Sequence, residues 1–173
     1  MQLRYLILSS LVALFALIPA SGQMAVTGGV PNDSVSQPVS NLIEMEREDI
    51  VSIAMKYIGT RYRYGQTGPK SFDCSGFTSF VYKQRDIALT RTSRTQFGEG
   101  EEVADIADLQ PGDLVFFGGS RSKDVVGHVG IVTDVDAEGK DFSFVHASRS
   151  GVKVDVLSSE YYSKRYLGAR RIF

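Results

Sequence analysis

The order of patterns along the chain predicts an α+β domain, with helices first and an antiparallel sheet second. Three observations carry this. Apolar residues recur at helical spacing over residues 41–58 and again after Asp73. Beyond Gln110 the pattern changes to short apolar runs separated by Gly, Asp and Ser. The length of 173 residues suits one domain with a sizeable core, and no internal repeat or second domain is visible.

The N-terminus reads as a targeting segment. Arg4 supplies a positive charge, residues 6–18 form an apolar run broken only by Ser9 and Ser10, and Ala20, Ser21 and Gly22 follow. Ala20 and Gly22 fit a small-x-small cleavage pattern, so residues 1–22 are expected to be a signal peptide removed before Gln23. The run is short of the roughly 20 apolar residues that a membrane span needs. An uncleaved anchor is the alternative. No cysteine follows the run, so no lipid attachment point is present there. After cleavage the protein is expected outside the cytoplasm, in the periplasm, cell envelope or extracellular space, as a monomer without stable membrane insertion.

Residues 23–43 read as a flexible spacer rich in Gly, Pro, Asn and Ser, and residues 44–173 as the folded domain. In the first helix Ile43, Ile50, Ile53, Ala54, Tyr57 and Ile58 recur at helical spacing, with Gly59 as a stop. A Gly- and Tyr-rich loop covers residues 60–69. A second helix opens near Asp73, Cys74 and Ser75, with Phe77, Phe80, Val81 and Tyr82 on its apolar face. Pro111-Gly112 then turns into a strand at 113–117. Further strands are expected at 129–132, 142–146 and 152–157, a short helix at 158–163 and a closing strand at 167–172.

Charge excludes one class of partner. The net charge of −1 is at odds with a nucleic-acid binder, which shows a basic excess. Cysteine usage points elsewhere. Exported proteins usually pair their cysteines, and this chain has only Cys74. A lone thiol is either an inert core residue or a reactive one. Its position at a predicted helix N-terminus favours thiolate and offers N–H groups to an oxyanion. The chain also has only two histidines, His128 and His146, 18 residues apart across a turn at Ala137-Glu138-Gly139. A hairpin would set their rings side by side. His128 could then take the thiol proton while His146 holds its far nitrogen. Zinc is the competing chemistry for Cys and His, but no C-x-x-C, H-x-x-x-H or H-x-H pair is present, so no metal is expected. Arg91 and Arg94 stand open between solvated surface and groove residues that meet substrate carboxylates.

Six segments together resemble a known family. Residues 72–77 (FDCSGF), 109–117 (LQPGDLVFF), 127–132 (GHVGIV) and 145–148 (VHAS) look like the motifs of the NlpC/P60 cell-wall peptidases. Residues 59–65 (GTRYRYG), and 90–93 (TRTS) with Gln96, resemble two further family segments. The resemblance covers residues 44–173. It implies a reduced papain-like fold, with N-terminal helices packed on an antiparallel sheet. It also implies a cysteine peptidase that needs no cofactor and acts on peptidoglycan stem peptides or cross-bridges, at the D-Glu–diamino acid bond or a D,D cross-link. The family's nucleophile, base and third polar residue map to Cys74, His128 and His146. Its active-site tyrosine maps to Tyr62, and Asp73 and Ser75 match positions used for substrate contacts. Tyr64, Gln66 and Thr90 depart from the residues common there, which bears on specificity more than on reaction type. A related amidase or acyltransferase acting on another amide or a lipid is the alternative, and a non-catalytic wall-binding module a third reading.

Overall fold

The structure, a computed structural model, describes residues 37–173, so the expected signal peptide and most of the spacer lie outside the described residues. Helix α1 spans Gln37–Met55. It begins four residues before the expected start, and residues 37–43, read as spacer, are helical. Val39, Leu42 and Met45 are exposed there, so the first turns rest on local preference more than on packing. Arg47, Ile50 and Ala54 form the buried stripe. Arg47 is only 3% exposed and ties the helix to the sheet. It donates to Asp113 Oδ1 at 3.3 Å and to the Phe173 carbonyl at 2.9 Å. At the expected stop, Gly59 has φ +85° and donates its N–H to the Val152 carbonyl at 2.8 Å.

Helix α2 spans Cys74–Lys83 and buries Phe77, Thr78, Val81 and Tyr82, with the Tyr82 hydroxyl bonded to the Gly112 carbonyl. A four-residue helix not expected from the sequence, α3, spans Ser93–Gln96. Gln96 explains it. This fully buried amide donates to the Ser75 carbonyl (3.2 Å), Ser79 Oγ (3.0 Å) and the Thr90 carbonyl (2.8 Å). It also accepts from Thr78 Oγ1 at 2.9 Å. One side chain thus fastens this segment to α2, and a buried amide with all these partners satisfied costs little.

The strands are β1 (Glu101–Val103), β2 (Leu114–Gly118), β3 (Val126–Val135), β4 (Phe142–Ser148), β5 (Gly151–Val156) and β6 (Tyr166–Arg171). They form one antiparallel sheet in the order β1-β6-β2-β3-β4-β5. Helix α4, Glu160–Ser163, precedes β6. Only β1 was unforeseen; it is three residues long and pairs with β6 across the chain. Both faces of the sheet are covered, which is why β2 is an unbroken apolar run. Leu114, Phe116, Val129, Ile131, Val145 and Ala147 pack with α1 and α2. Val115, Phe117, Val132, Phe142 and Phe144 pack with Leu157 and Tyr162 on the other side. The β3–β4 turn is set by Asp136, whose Oδ1 accepts from the N–H groups of Lys140 and Asp141 at 2.6 and 2.8 Å.

Candidate active site

Cys74 is the first residue of α2, where the helix's leading N–H groups are free of intrahelical partners. Asp73 caps that helix: its backbone is extended and its Oδ1 accepts from Gly76 N–H at 2.7 Å. Gly76 must lack a side chain, since a Cβ would lie 2.2 Å from the Gln66 carbonyl oxygen. The Cys74 sulfur lies within reach of the backbone N–H groups of Ser75 and Val129. Val129 is the neighbour of His128, so the hairpin brings His128 and Cys74 to one place.

His128 and His146 meet as the hairpin reading expects. His128 Nε2 and His146 Nδ1 are 2.8 Å apart, with the ring planes at 89°. Ile131 pairs with Val145, which sets His146 across from Gly130. A Cβ on Gly130 would lie 3.2 Å from His146 Cβ and 2.6 Å from the Phe144 ring, so this glycine makes room for the histidine. Behind His146 stands a residue the sequence reading missed. His146 Nε2 is 2.9 Å from Asp155 Oδ2, and Lys153 Nζ reaches the same carboxylate at 2.7 and 3.0 Å. Lys153 pairs with His146 across the β4–β5 ladder, and Asp155 shares the face of Lys153 two residues on. The polar alternation Lys153-Val154-Asp155 was the available signal. Tyr162 was also missed: its ring stacks on His128 (6.2 Å, 27°) and meets His146 edge-on (5.4 Å).

These contacts determine the protons. Burial works against charge on Asp155, but hydrogen bonds from Lys153 and His146 win and hold its carboxyl below the usual carboxylate range. Burial lowers His146 to about 4, against the opposing pull of Asp155. His146 is therefore neutral at pH 7 and gives its one N–H, on Nε2, to the carboxylate. Its Nδ1 must then accept, so His128 donates from Nε2. Burial and the adjacent His146 lower His128 well below the ordinary imidazole range, which leaves its Nδ1 as a free lone pair. Burial, followed by the Asp73 charge, raises Cys74, against the pull of the Ser75 and Val129 N–H groups. The helix N-terminus was expected to favour thiolate; in the resting site desolvation outweighs it, and thiol and imidazole are both neutral.

Cys74 and His128 open onto a groove of about 1180 Å³, also lined by Tyr62, Tyr64, Arg94 and Tyr162. Tyr62 is held by backbone bonds on either side, Phe72 N–H to the Arg61 carbonyl (3.1 Å) and Arg63 N–H to the Phe72 carbonyl (2.9 Å). Burial, then the nearby Cys74 and Asp73, raise the Tyr62 hydroxyl, so it stays a donor. Asp73 and Ser75, expected at the substrate, do not line the groove and are 5% and 6% exposed. Arg91 explains their position. It donates to Asp73 Oδ1 and Oδ2 at 3.0 and 2.5 Å and to Ser75 Oγ at 3.1 Å, while Gly65 N–H also reaches Asp73 Oδ2 at 2.8 Å. Asp73 is thus saturated from within. Among the described residues no group of three or more His, Cys, Asp or Glu could hold a metal ion, and no helix is long and apolar enough to cross a membrane.

Comparison with known proteins agrees with this architecture. The chain is 36% identical over 123 residues to the probable endopeptidase p60 of Listeria seeligeri, covering 71% of this chain and 22% of that protein. It is 37% identical over 123 residues to the probable peptidoglycan endopeptidase LytE of Bacillus subtilis, covering 70% and 33%. It is 33% identical over 126 residues to the gamma-D-glutamyl-L-lysine dipeptidyl-peptidase of Bacillus cereus, covering 72% and 36%. The matched stretch is therefore no more than about a third of these relatives' own lengths. Among solved structures, an NlpC/P60 family protein from Bacillus cereus superposes with a TM-score of 0.65 at 33% identity, over 73% of this chain and 40% of that one. The NlpC/P60 domain of the peptidoglycan hydrolase SagA does so with a TM-score of 0.57 at 30% identity, over 72% and 97%. The NlpC/P60 family pattern itself matches residues 59–171, which take in Tyr62, Cys74, His128, His146 and Asp155 alike, and the chain belongs to the NlpC/P60 family.

Proposed function

We propose that this protein is an exported cysteine peptidase that hydrolyses amide bonds in peptidoglycan stem peptides or cross-bridges. The observation that carries the reading is the hydrogen-bonded series Asp155–His146–His128, which leaves an imidazole lone pair beside a cysteine at a helix N-terminus. In this mechanism Cys74 Sγ attacks the substrate carbonyl as its proton passes to His128 Nδ1. The N–H groups at the start of α2 and the Tyr62 hydroxyl stabilise the oxyanion. His128 then gives the proton to the leaving amine, and a thioester remains. Water, losing its proton to His128, attacks the thioester, releasing the carboxylate and the Cys74 thiol. His146 and Asp155 keep the His128 proton on Nε2 throughout. No cofactor takes part.

Relatives named as a peptidoglycan endopeptidase and a gamma-D-glutamyl-L-lysine dipeptidyl-peptidase favour a wall substrate, and the second name favours the D-Glu–diamino acid bond over the D,D cross-link. The test is a digest of purified sacculi by the wild-type protein and the Cys74→Ala variant, with products identified by mass spectrometry. New amine and carboxyl ends are expected with the wild type alone. Equal digestion by both proteins, or none by the wild type, overturns the reading. N-terminal sequencing of the mature protein is expected to start near Gln23; Met1 on a membrane-bound form would overturn export by cleavage.

A further inference from the structure

The groove is basic although the chain is not. The sequence holds 19 Lys and Arg against 20 Asp and Glu, yet the groove is lined by Arg94, Arg121, Arg149, Lys153 and Arg165 and by no acidic residue. Pairing sharpens the contrast. Among the described residues, Arg47, Arg85, Arg91, Arg170 and Arg171 each meet a carboxylate, and none of them lines the groove. Arg94, Arg121, Arg149 and Arg165 meet none among the described residues. The other two described arginines without a carboxylate, Arg61 and Arg63, flank the groove residue Tyr62.

Two of the four groove arginines are anchored in ways that leave donors over. Arg94 Nε donates to the Val126 carbonyl at 3.2 Å. Arg165 lies 4.1 Å over the Tyr161 ring and donates to the Tyr161 carbonyl at 3.4 Å, with its buried Nε unpartnered. Arg121 and Arg149 are exposed on two different loops, β2–β3 and β4–β5. The carboxylates closest to the reacting groups are already engaged, Asp73 by Arg91 and Asp155 by Lys153. Nothing in the groove can therefore neutralise a substrate ammonium. Four guanidinium groups around one cleft repel one another until an anion enters, and each presents a planar fork that matches a carboxylate.

We infer that the groove selects a peptide carrying free carboxylates around the scissile bond over the same peptide with those carboxyls amidated, and that Arg121 and Arg149 are specificity-determining residues. This rests on the peptidase reading above and adds which chemical form of the stem is taken. Sequence-wide charge conceals the feature, because the acidic residues that balance the groove lie elsewhere on the molecule.

The experiment compares two soluble synthetic stem peptides, identical except that the D-Glu α-carboxyl and the diamino-acid carboxyl are free in one and amidated in the other. Wild type is expected to show a kcat/KM on the order of tenfold higher for the free form, mainly through KM, with the ratio shrinking at high salt. In an Arg121→Gln/Arg149→Gln double variant with an unchanged melting temperature the ratio should fall towards one. Parity of the two peptides with wild type, a preference for the amidated form, or a ratio untouched by the double variant would overturn the inference while leaving the peptidase reading in place. Cleavage of neither peptide would count against the peptidase reading. Calorimetric binding of both peptides to Cys74→Ala then decides the charge inference by itself: tighter binding of the free form supports it, and equal or absent binding overturns it.

Discussion

Replacing Asp155 with Ala tests whether the proton arrangement described above governs the chemistry. The variant removes the acceptor from His146 Nε2, a ring with no solvent exposure, and it also frees the groove residue Lys153 from its ion pair. A hydrogen bond to a charged group contributes about 1.5–3 kcal/mol. Without it the Nδ1–H form of His146 competes. That form must donate to His128 Nε2, which forces the His128 proton onto Nδ1, where a lone pair is needed. At about 1.4 kcal/mol per factor of ten, the lost bond predicts a fall in kcat of about 10- to 100-fold. The Asp155 side chain is 22% exposed, so water replaces part of the bond, and the lower half of that range is expected. KM should change less than kcat. Steady-state kinetics on a soluble stem peptide, with a thermal melt to check folding, measure both. Asp155→Asn, which keeps an oxygen, should lie between Ala and wild type. A folded Asp155→Ala protein with kcat within about twofold of wild type would refute the argument.

Three further outcomes are expected. His146→Asn or His146→Gln should retain part of the activity, because either can accept from His128 Nε2, whereas His146→Ala should lose about 10²-fold in kcat; equal rates for Asn and Ala would contradict an orienting role. Gly130→Ala should push on the Phe144 ring, 2.6 Å from the new Cβ, and on His146 at 3.2 Å, and destabilise the fold by about 1–3 kcal/mol, read as a joint fall in kcat and denaturation midpoint. Stability should also fall with acid. His146 titrates near 4 when folded and near 6.5 when unfolded, so between those values the unfolded chain binds a proton that the folded chain does not. Its contribution is fully present above pH 6.5 and declines towards pH 4, on the order of 3 kcal/mol, with His128 acting in the same direction. Urea denaturation of wild type and His146→Gln at neutral and mildly acid pH should show a weaker pH dependence in the variant, and identical slopes would refute it.

The parts legible in the sequence share a physical property: each is written in one short stretch. The period of Ile50 and Ala54, the Asp73 cap before Cys74, and the apolar runs of β2 to β5 are local patterns, and each element stands within a few residues of its expected place. The hairpin of His128 and His146 was legible because its turn residues lie between two such runs. The misses are non-local. Helix α3 exists because buried Gln96 bonds to α2, and β1 because it pairs with β6. Neither is long enough to show a period. The early start of α1 escaped for another reason: Val39, Leu42 and Ile43 stand at helical spacing, but Pro38 and the Gly-, Pro- and Asn-rich stretch before it read as spacer.

The sequence by itself determined most of the elements, the α+β class and the three candidate residues that the structure brings together, because the chain holds one cysteine and two histidines and each sits in a locally readable frame. Tertiary structure alone decided what surrounds them. Asp73 and Ser75 are claimed by Arg91 from beyond α2, so a motif position beside Cys74 takes part in an internal ion pair. Asp155 reaches His146 across a strand pair, which fixes where the protons sit. Burial then reversed the expected thiolate, since a helix N-terminus favours charge but exclusion of water opposes it more strongly. Charge sign, protonation and groove lining depend on which side chains fold against one another, and spacing along the chain carries no record of that.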